Sequence, residues 1–134
     1  MTNTDNTPTE TFETATPDEM SENLRAALLE VRARIAQGWT QGAFARDALC
    51  NVKRPCTRGI TAWSLHGAVL EIRDDDMADA VDDILTRAVE RHGFCITVNG
   101  HALANFNNAA GRTVSEVFAL IDEAINSVQL TEGR

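Results

Sequence analysis

The run Ile60-Thr61-Ala62-Trp63-Ser64-Leu65-His66-Gly67-Ala68-Val69-Leu70-Glu71-Ile72 decides how this chain is read. It is the most apolar stretch and lies near the middle of the sequence. Wound as a helix, it would place Ala62, Trp63, Leu65, Ala68, Val69, Leu70 and Ile72 around most of its circumference. A helix apolar nearly all round belongs inside a fold, with other helices against it. Gly67 then costs helix stability, roughly 0.8–1 kcal/mol against alanine, and marks a close backbone approach or a helix end. The expectation is a buried central helix beginning near Ile60.

Outward from that run, two helices announce themselves by their starts. Thr16-Pro17-Asp18-Glu19 has the capping-box pattern, with proline at the first helical position. Met20, Leu24, Leu28, Val31 and Ile35 follow as one stripe, and Gly38 is a natural C-terminal cap. Near the other end, Thr113-Val114-Ser115-Glu116 repeats the capping box. Val114, Val117, Phe118, Ile121, Ala124, Ile125 and Val128 continue it as a stripe. A third helix begins at Asp74-Asp75-Asp76, acids that suit an N-cap and the positive dipole end. Its stripe is Met77, Val81, Ile84, Leu85, Ala88 and Val89, and Gly93 closes it.

The remaining segments read less sharply. Ala43, Phe44, Ala45 and Ala48 favour a short helix, and residues 51–59 a loop carrying Lys53, Arg54 and Arg58. Residues 94–98 alternate like a strand before Asn99-Gly100, a hairpin signal. Because His101 to Phe106 does not alternate in return, an extended connector and a short helix capped near Asn99 are preferred to a hairpin. The predicted fold is therefore all-α: one compact domain of four to six helices, its central helix buried by the first, fourth and last. Residues 1–15 form a disordered polar tail, 16–129 the helical domain, and 130–134 a frayed end.

Composition narrows the partners. Twenty acidic residues against 12 basic ones give a formal net charge of −8, with 43% hydrophobic residues. That balance disfavours direct nucleic-acid binding, which uses cations to displace phosphate counterions. It also disfavours an anionic membrane surface, since no basic amphipathic face is present. No apolar run approaches the ~20 residues that cross a bilayer, and no secretory leader is evident. Three cysteines in unrelated contexts do not make a disulfide framework, so a cytoplasmic setting is expected. A basic or nucleic-acid-binding protein is the partner most compatible with this charge.

Few residues suggest chemistry. Cys50, Cys56, His92 and Cys95 would make a zinc site only if a loop and a helix end met. Cys56 has Arg54 and Arg58 beside it, but nothing places His66 or His101 near it as a base. Hydrolase, phosphate-loop and dinucleotide motifs are absent. No catalytic residue, metal ligand or cofactor is assigned, and the protein is expected not to be an enzyme. Asp75, Asp79, Asp82 and Asp83 are the candidate interaction residues, on an acidic helix face. The run Asn105-Phe106-Asn107-Asn108, with Gly111-Arg112-Thr113 after it, reads as turn chemistry, or else as a surface loop offering amides and a cation.

Taken in order, Gly38-Trp39-x-Gln41-Gly42-Ala43-x-Ala45-Arg46-Asp47, Ala62-Trp63-Ser64-Leu65-x-Gly67-Ala68, Phe106-Asn107-Asn108 and Arg112-Thr113-x-x-Glu116-Val117 form a signature, closed by Ala124-Ile125. Over about residues 24–125 this resembles the domain-of-unknown-function family numbered 6197, small bacterial and bacteriophage proteins without an assigned activity. That family typically reads Trp-Asn-Asp and Trp-Cys where this chain has Phe106-Asn107-Asn108 and Trp63-Ser64. The resemblance implies a helical fold and a phage or mobile-element setting. The favoured function is a non-enzymatic interaction or regulatory module acting through its acidic surface. The alternative is a small-ligand-binding protein or enzyme with a pocket among Trp39, Arg46, Asp47, Trp63, His66, Asn107 and Arg112.

Overall fold

A computed structural model describes residues 17–92 and 101–132. The expected tail, Thr16, Gly93, Cys95, the 94–98 segment and Asn99 lie outside the described residues. In chain order the elements are α1 (Pro17–Gln37), β1 (Ala45–Asp47), β2 (Val52–Lys53), β3 (Ile60–Trp63), α2 (Leu65–Leu70), α3 (Asp75–Arg91), α4 (Ala102–Asn108) and α5 (Val114–Glu132). The fold is mixed α/β rather than all-α, because the middle of the chain forms a three-stranded antiparallel sheet ordered β2-β1-β3.

The decisive run does not form one helix. Residues 60–63 are a strand, and Ser64 stands between it and a six-residue helix. β-Branched Ile60 and Thr61 and the bulky Trp63 suit a pleated strand, and Gly59, at φ 87°, turns the chain into it. Ser64 is extended at φ −80°, ψ 168°, and its side chain accepts a hydrogen bond from the Gly67 N–H at 3.0 Å, the geometry of an N-cap. The Ser64 N–H donates to the Phe44 carbonyl at 2.9 Å, so strand pairing carries up to the cap. A Cβ on Gly67 would sit 2.0 Å from the Phe44 carbonyl oxygen, so glycine is there for close approach.

The short helix expected over residues 43–48 is also a strand. Ala45 pairs with Lys53 on one side and Trp63 on the other, and its side chain is fully buried. Tertiary pairing overrides the helix propensity of Ala43, Ala45 and Ala48. The loop expected over 51–59 contains β2. Gly38 follows α1 as expected, yet its φ is not positive: a Cβ there would lie 2.2 Å from the Thr61 carbonyl oxygen. The Gly38 carbonyl accepts from the Trp63 N–H at 2.9 Å, which seats β3 on the end of α1.

The outer helices follow the sequence reading. Leu28, Val31 and Ile35 of α1 and Val117, Ile121, Ala124 and Val128 of α5 share one core, although Met20 of the expected stripe is 58% exposed. Arg32 of α1 lies over the Phe118 ring of α5 at 4.6 Å and bonds Asp122 at 2.7 Å. The capping box at α5 is complete, with Thr113 N to Glu116 Oε1 at 2.9 Å and Glu116 N to Thr113 Oγ1 at 3.2 Å. This helix runs on to Glu132, past the break placed after residue 129. The buried α2 is flanked by α1, α3 and α4, while the last helix packs on α1 and α3.

Candidate functional site

Two polar clusters meet at α2, and they differ in how well their groups are satisfied. The first centres on Asn107, fully buried near the end of α4. Its Oδ1 accepts from Trp39 Nε1 at 2.7 Å and from the Leu65 N–H at 3.0 Å. Its Nδ2 donates to the Thr40 carbonyl at 3.1 Å and to Asn108 Oδ1 at 2.9 Å. Asn108 Oδ1 also accepts from the Gly42 N–H at 2.9 Å, and Gln41 Nε2 donates to the Asn107 carbonyl at 2.9 Å. One amide thus ties the end of α4 to the start of α2 and to the segment before β1. The asparagine run is the end of a helix rather than a turn or a surface loop, with Asn107 buried and Asn108 exposed.

The other candidate pocket residues hold backbone too. Arg46 donates through Nε to Thr40 Oγ1 at 3.0 Å and through Nη1 to the Cys50 carbonyl at 3.1 Å. Asp47 Oδ1 accepts the Leu49 and Asn51 N–H groups at 2.9 Å each, and the Asn51 bond leads the causes holding its pKa below the usual carboxylate range. Trp63 Nε1 donates to Glu71 Oε2 at 2.9 Å, and the same oxygen takes the Cys56 N–H at 2.9 Å. Burial pushes the Glu71 pKa up, but those hydrogen bonds outweigh it and the net shift is downward. Arg112 stacks on Phe106 at 3.8 Å and donates to its carbonyl at 2.8 Å, with only 16% of its side chain exposed. Trp39, Trp63, Asn107 and Arg112 therefore brace the fold around α2 and α4.

The second cluster was not anticipated as a unit. His66 of α2, Asp82 of α3 and His101, the N-cap of α4, each present a ligand-type atom within 4.8 Å of the others. His101 Nδ1 accepts from the Leu103 N–H at 3.1 Å, which leaves the proton on Nε2, 2.8 Å from Asp82 Oδ2. Asp82 also accepts from Thr86 Oγ1 at 3.1 Å. The rings of His66 and His101 are stacked, with centroids 3.9 Å apart and an angle of 17°, and Phe44 closes the other side edge-on at 5.3 Å. Among the described residues, His66 Nδ1 is the buried side-chain polar atom that lacks a hydrogen-bond partner. Burial, helped by the neighbouring His101, lowers the His66 pKa to about 4, against the opposing pull of Asp82. Sequence alone gave no reason to join positions 66, 82 and 101; only the packing of α2, α3 and α4 does so.

The expected acidic face is real but divided. Asp75, Asp79 and Asp83 are exposed along α3, Asp83 pairing with Arg87 at 2.8 Å, whereas Asp82 turns toward His101. Asp74, the N-cap, accepts from the Met77 N–H at 3.1 Å. Beside this end of α3, a groove of about 350 Å³ runs between α1 and α3, lined by Met20, Leu24, Met77 and Ala80 and edged by Asp74 and Asp76.

The four zinc candidates do not assemble among the described residues. Cys50 and Cys56 are exposed and free, each at φ 67°, and Cys56 Sγ lies 3.6 Å from the Leu70 carbonyl. His92 Nε2 bonds Glu123 Oε1 at 2.6 Å, and Cys95 is outside the described residues. No described helix is long and apolar enough to cross a membrane.

These features define a small helix-rich α/β protein knit together by tryptophan, asparagine and arginine contacts. The chain belongs to the family of unknown function DUF6197, whose model matches residues 15–127. No curated protein and no solved structure matches it.

Proposed function

We propose that this protein is a non-enzymatic interaction or regulatory module. It acts in the cytoplasm on a basic protein partner, such as a nucleic-acid-binding protein of a phage host. The observation that carries the reading is the apolar groove between α1 and α3 with aspartates at its edge. Between Asp75 and Asp83, α3 holds five acids and no base. An exposed methionine beside an apolar groove is adaptable contact surface, and the acids supply orientation and steering toward a cationic partner. A basic amphipathic segment fits this pairing of an apolar strip and a negative rim.

The alternative, a ligand pocket among the signature residues, has less behind it. The polar groups of Trp39, Arg46, Trp63 and Asn107 are engaged with backbone, with one another or, for Trp63, with the Glu71 carboxylate. The test is affinity capture with the intact chain and with a variant in which Asp75, Asp76, Asp79 and Asp83 are changed to asparagine. The partner's recovery is expected to fall at least about tenfold and to weaken with added salt. Equal recovery of the same partners by a folded variant would remove the acidic groove from the interaction. Met20→Ala separates the apolar contribution from the charge.

A further inference from the structure

The cluster of His66, Asp82 and His101 has the composition of a cation site, and the interaction reading uses neither histidine. We propose that these three side chains bind a divalent first-row transition-metal ion, with zinc as the natural occupant. Two imidazoles and one carboxylate suit zinc and its neighbours, whereas calcium and magnesium prefer all-oxygen shells. Three protein ligands leave a coordination position for water or for a partner's side chain.

Three observations converge on this assignment. The donor atoms lie within 4.8 Å of one another. Ligands on a tetrahedral zinc ion stand about 3.4 Å apart, so closing the site takes side-chain rotations that turn the two rings out of their stack. His66 Nδ1 is buried without a partner, so a cation bound through that nitrogen would satisfy an atom that the fold leaves unsatisfied. His66 is held as neutral imidazole, the form that ligates, while the Asp82 carboxylate supplies the negative charge. On binding, the proton on His101 Nε2 moves to Nδ1, so that a neutral imidazole offers Nε2 to the ion and Asp82 Oδ2 is freed to ligate. The Leu103 N–H contact is given up when Nδ1 takes the proton.

Zinc is titrated into the full-length chain, and into a variant with Cys50, Cys56 and Cys95 changed to serine, by calorimetry. The expected result is one zinc per chain in both, with the imidazole nitrogen resonances of His66 and His101 shifting and that of His92 unmoved. Asp82→Asn and His66→Ala should each weaken binding at least about tenfold, the size already seen when an outer contact is removed. His101→Asn keeps an N-cap acceptor for α4 and should weaken binding comparably. Cobalt bound by the unaltered chain should show ligand-field bands without thiolate charge transfer, a readout that survives even if a variant fails to fold. No binding, binding lost only with the cysteines, or a thiolate band would each overturn the proposal.

Discussion

Asn107 lies on α4 and His66 on the short α2 that packs against it, and both bring polar groups into the interior. The amide of Asn107 makes four hydrogen bonds, using both lone-pair directions of its oxygen and both N–H groups. The imidazole of His66 stacks on another imidazole and leaves a buried nitrogen unanswered. A fully bonded buried network specifies one arrangement of the backbone around it. An unanswered group lowers stability and is kept where something else uses it. The first cluster is therefore architecture, and the second is the place to look for chemistry.

The largest effect expected of this contrast is at Asn107. Asn107→Ala removes both acceptors and donors and strands the buried Leu65 N–H, for a loss of about 4 kcal/mol in denaturant unfolding. A loss below about 1 kcal/mol would mean the network is not what holds α4 to α2. Gly67→Ala comes next, at about 3 kcal/mol destabilising, because the new Cβ meets the Phe44 backbone. Helix propensity alone would give the opposite sign, a gain of about 1 kcal/mol, so thermal unfolding discriminates the two.

Acid should act through the second cluster. The folded pKa of His66 is about 4 against an ordinary 6.5, so the unfolded chain binds more protons between those values. Stability from this group is full above pH 6.5 and is lost as pH falls toward 4. The loss is on the order of 2 kcal/mol once solvent screening around the half-buried ring is allowed for. Asp82 and His101 face the same ring, and His66→Phe should remove this contribution from the pH profile. The smallest effect is that substitution at neutral pH without metal: His66→Phe should change stability by less than about 1 kcal/mol, since no hydrogen bond is lost at Nδ1. A large loss would show that the ring is anchored after all.

The outer helices were legible because their signals are local. The Thr113/Glu116 capping box and the stripe from Val117 to Val128 can be read within single turns of helix. The sheet was not legible, because its cause is distant. Ala45 becomes a strand residue only through Lys53 and Trp63, and Gly38 and Gly67 are dictated by backbones reaching them from Thr61 and Phe44. Ser64 was the local clue to the break inside the 60–72 run, a serine three residues before Gly67 whose side chain caps a new helix. Trp39 touches both Trp63 and Asn107, but the polar atoms of these three face inward. The cluster of His66, Asp82 and His101 draws one residue from each of three segments, and no spacing rule joins them.

The pairing of α1 with α5 through Arg32, Phe118 and Asp122 has a consequence for synthesis. Helix α1 leaves the ribosome before α5, which completes its apolar stripe, so this core stays open until α5 emerges. Pairing of distant segments is slow to form, and the waiting surfaces of Leu28, Val31 and Ile35 are sticky in the interval. Slowing translation across residues 92–113 should therefore lower the yield of folded chain more than the same delay beyond residue 128.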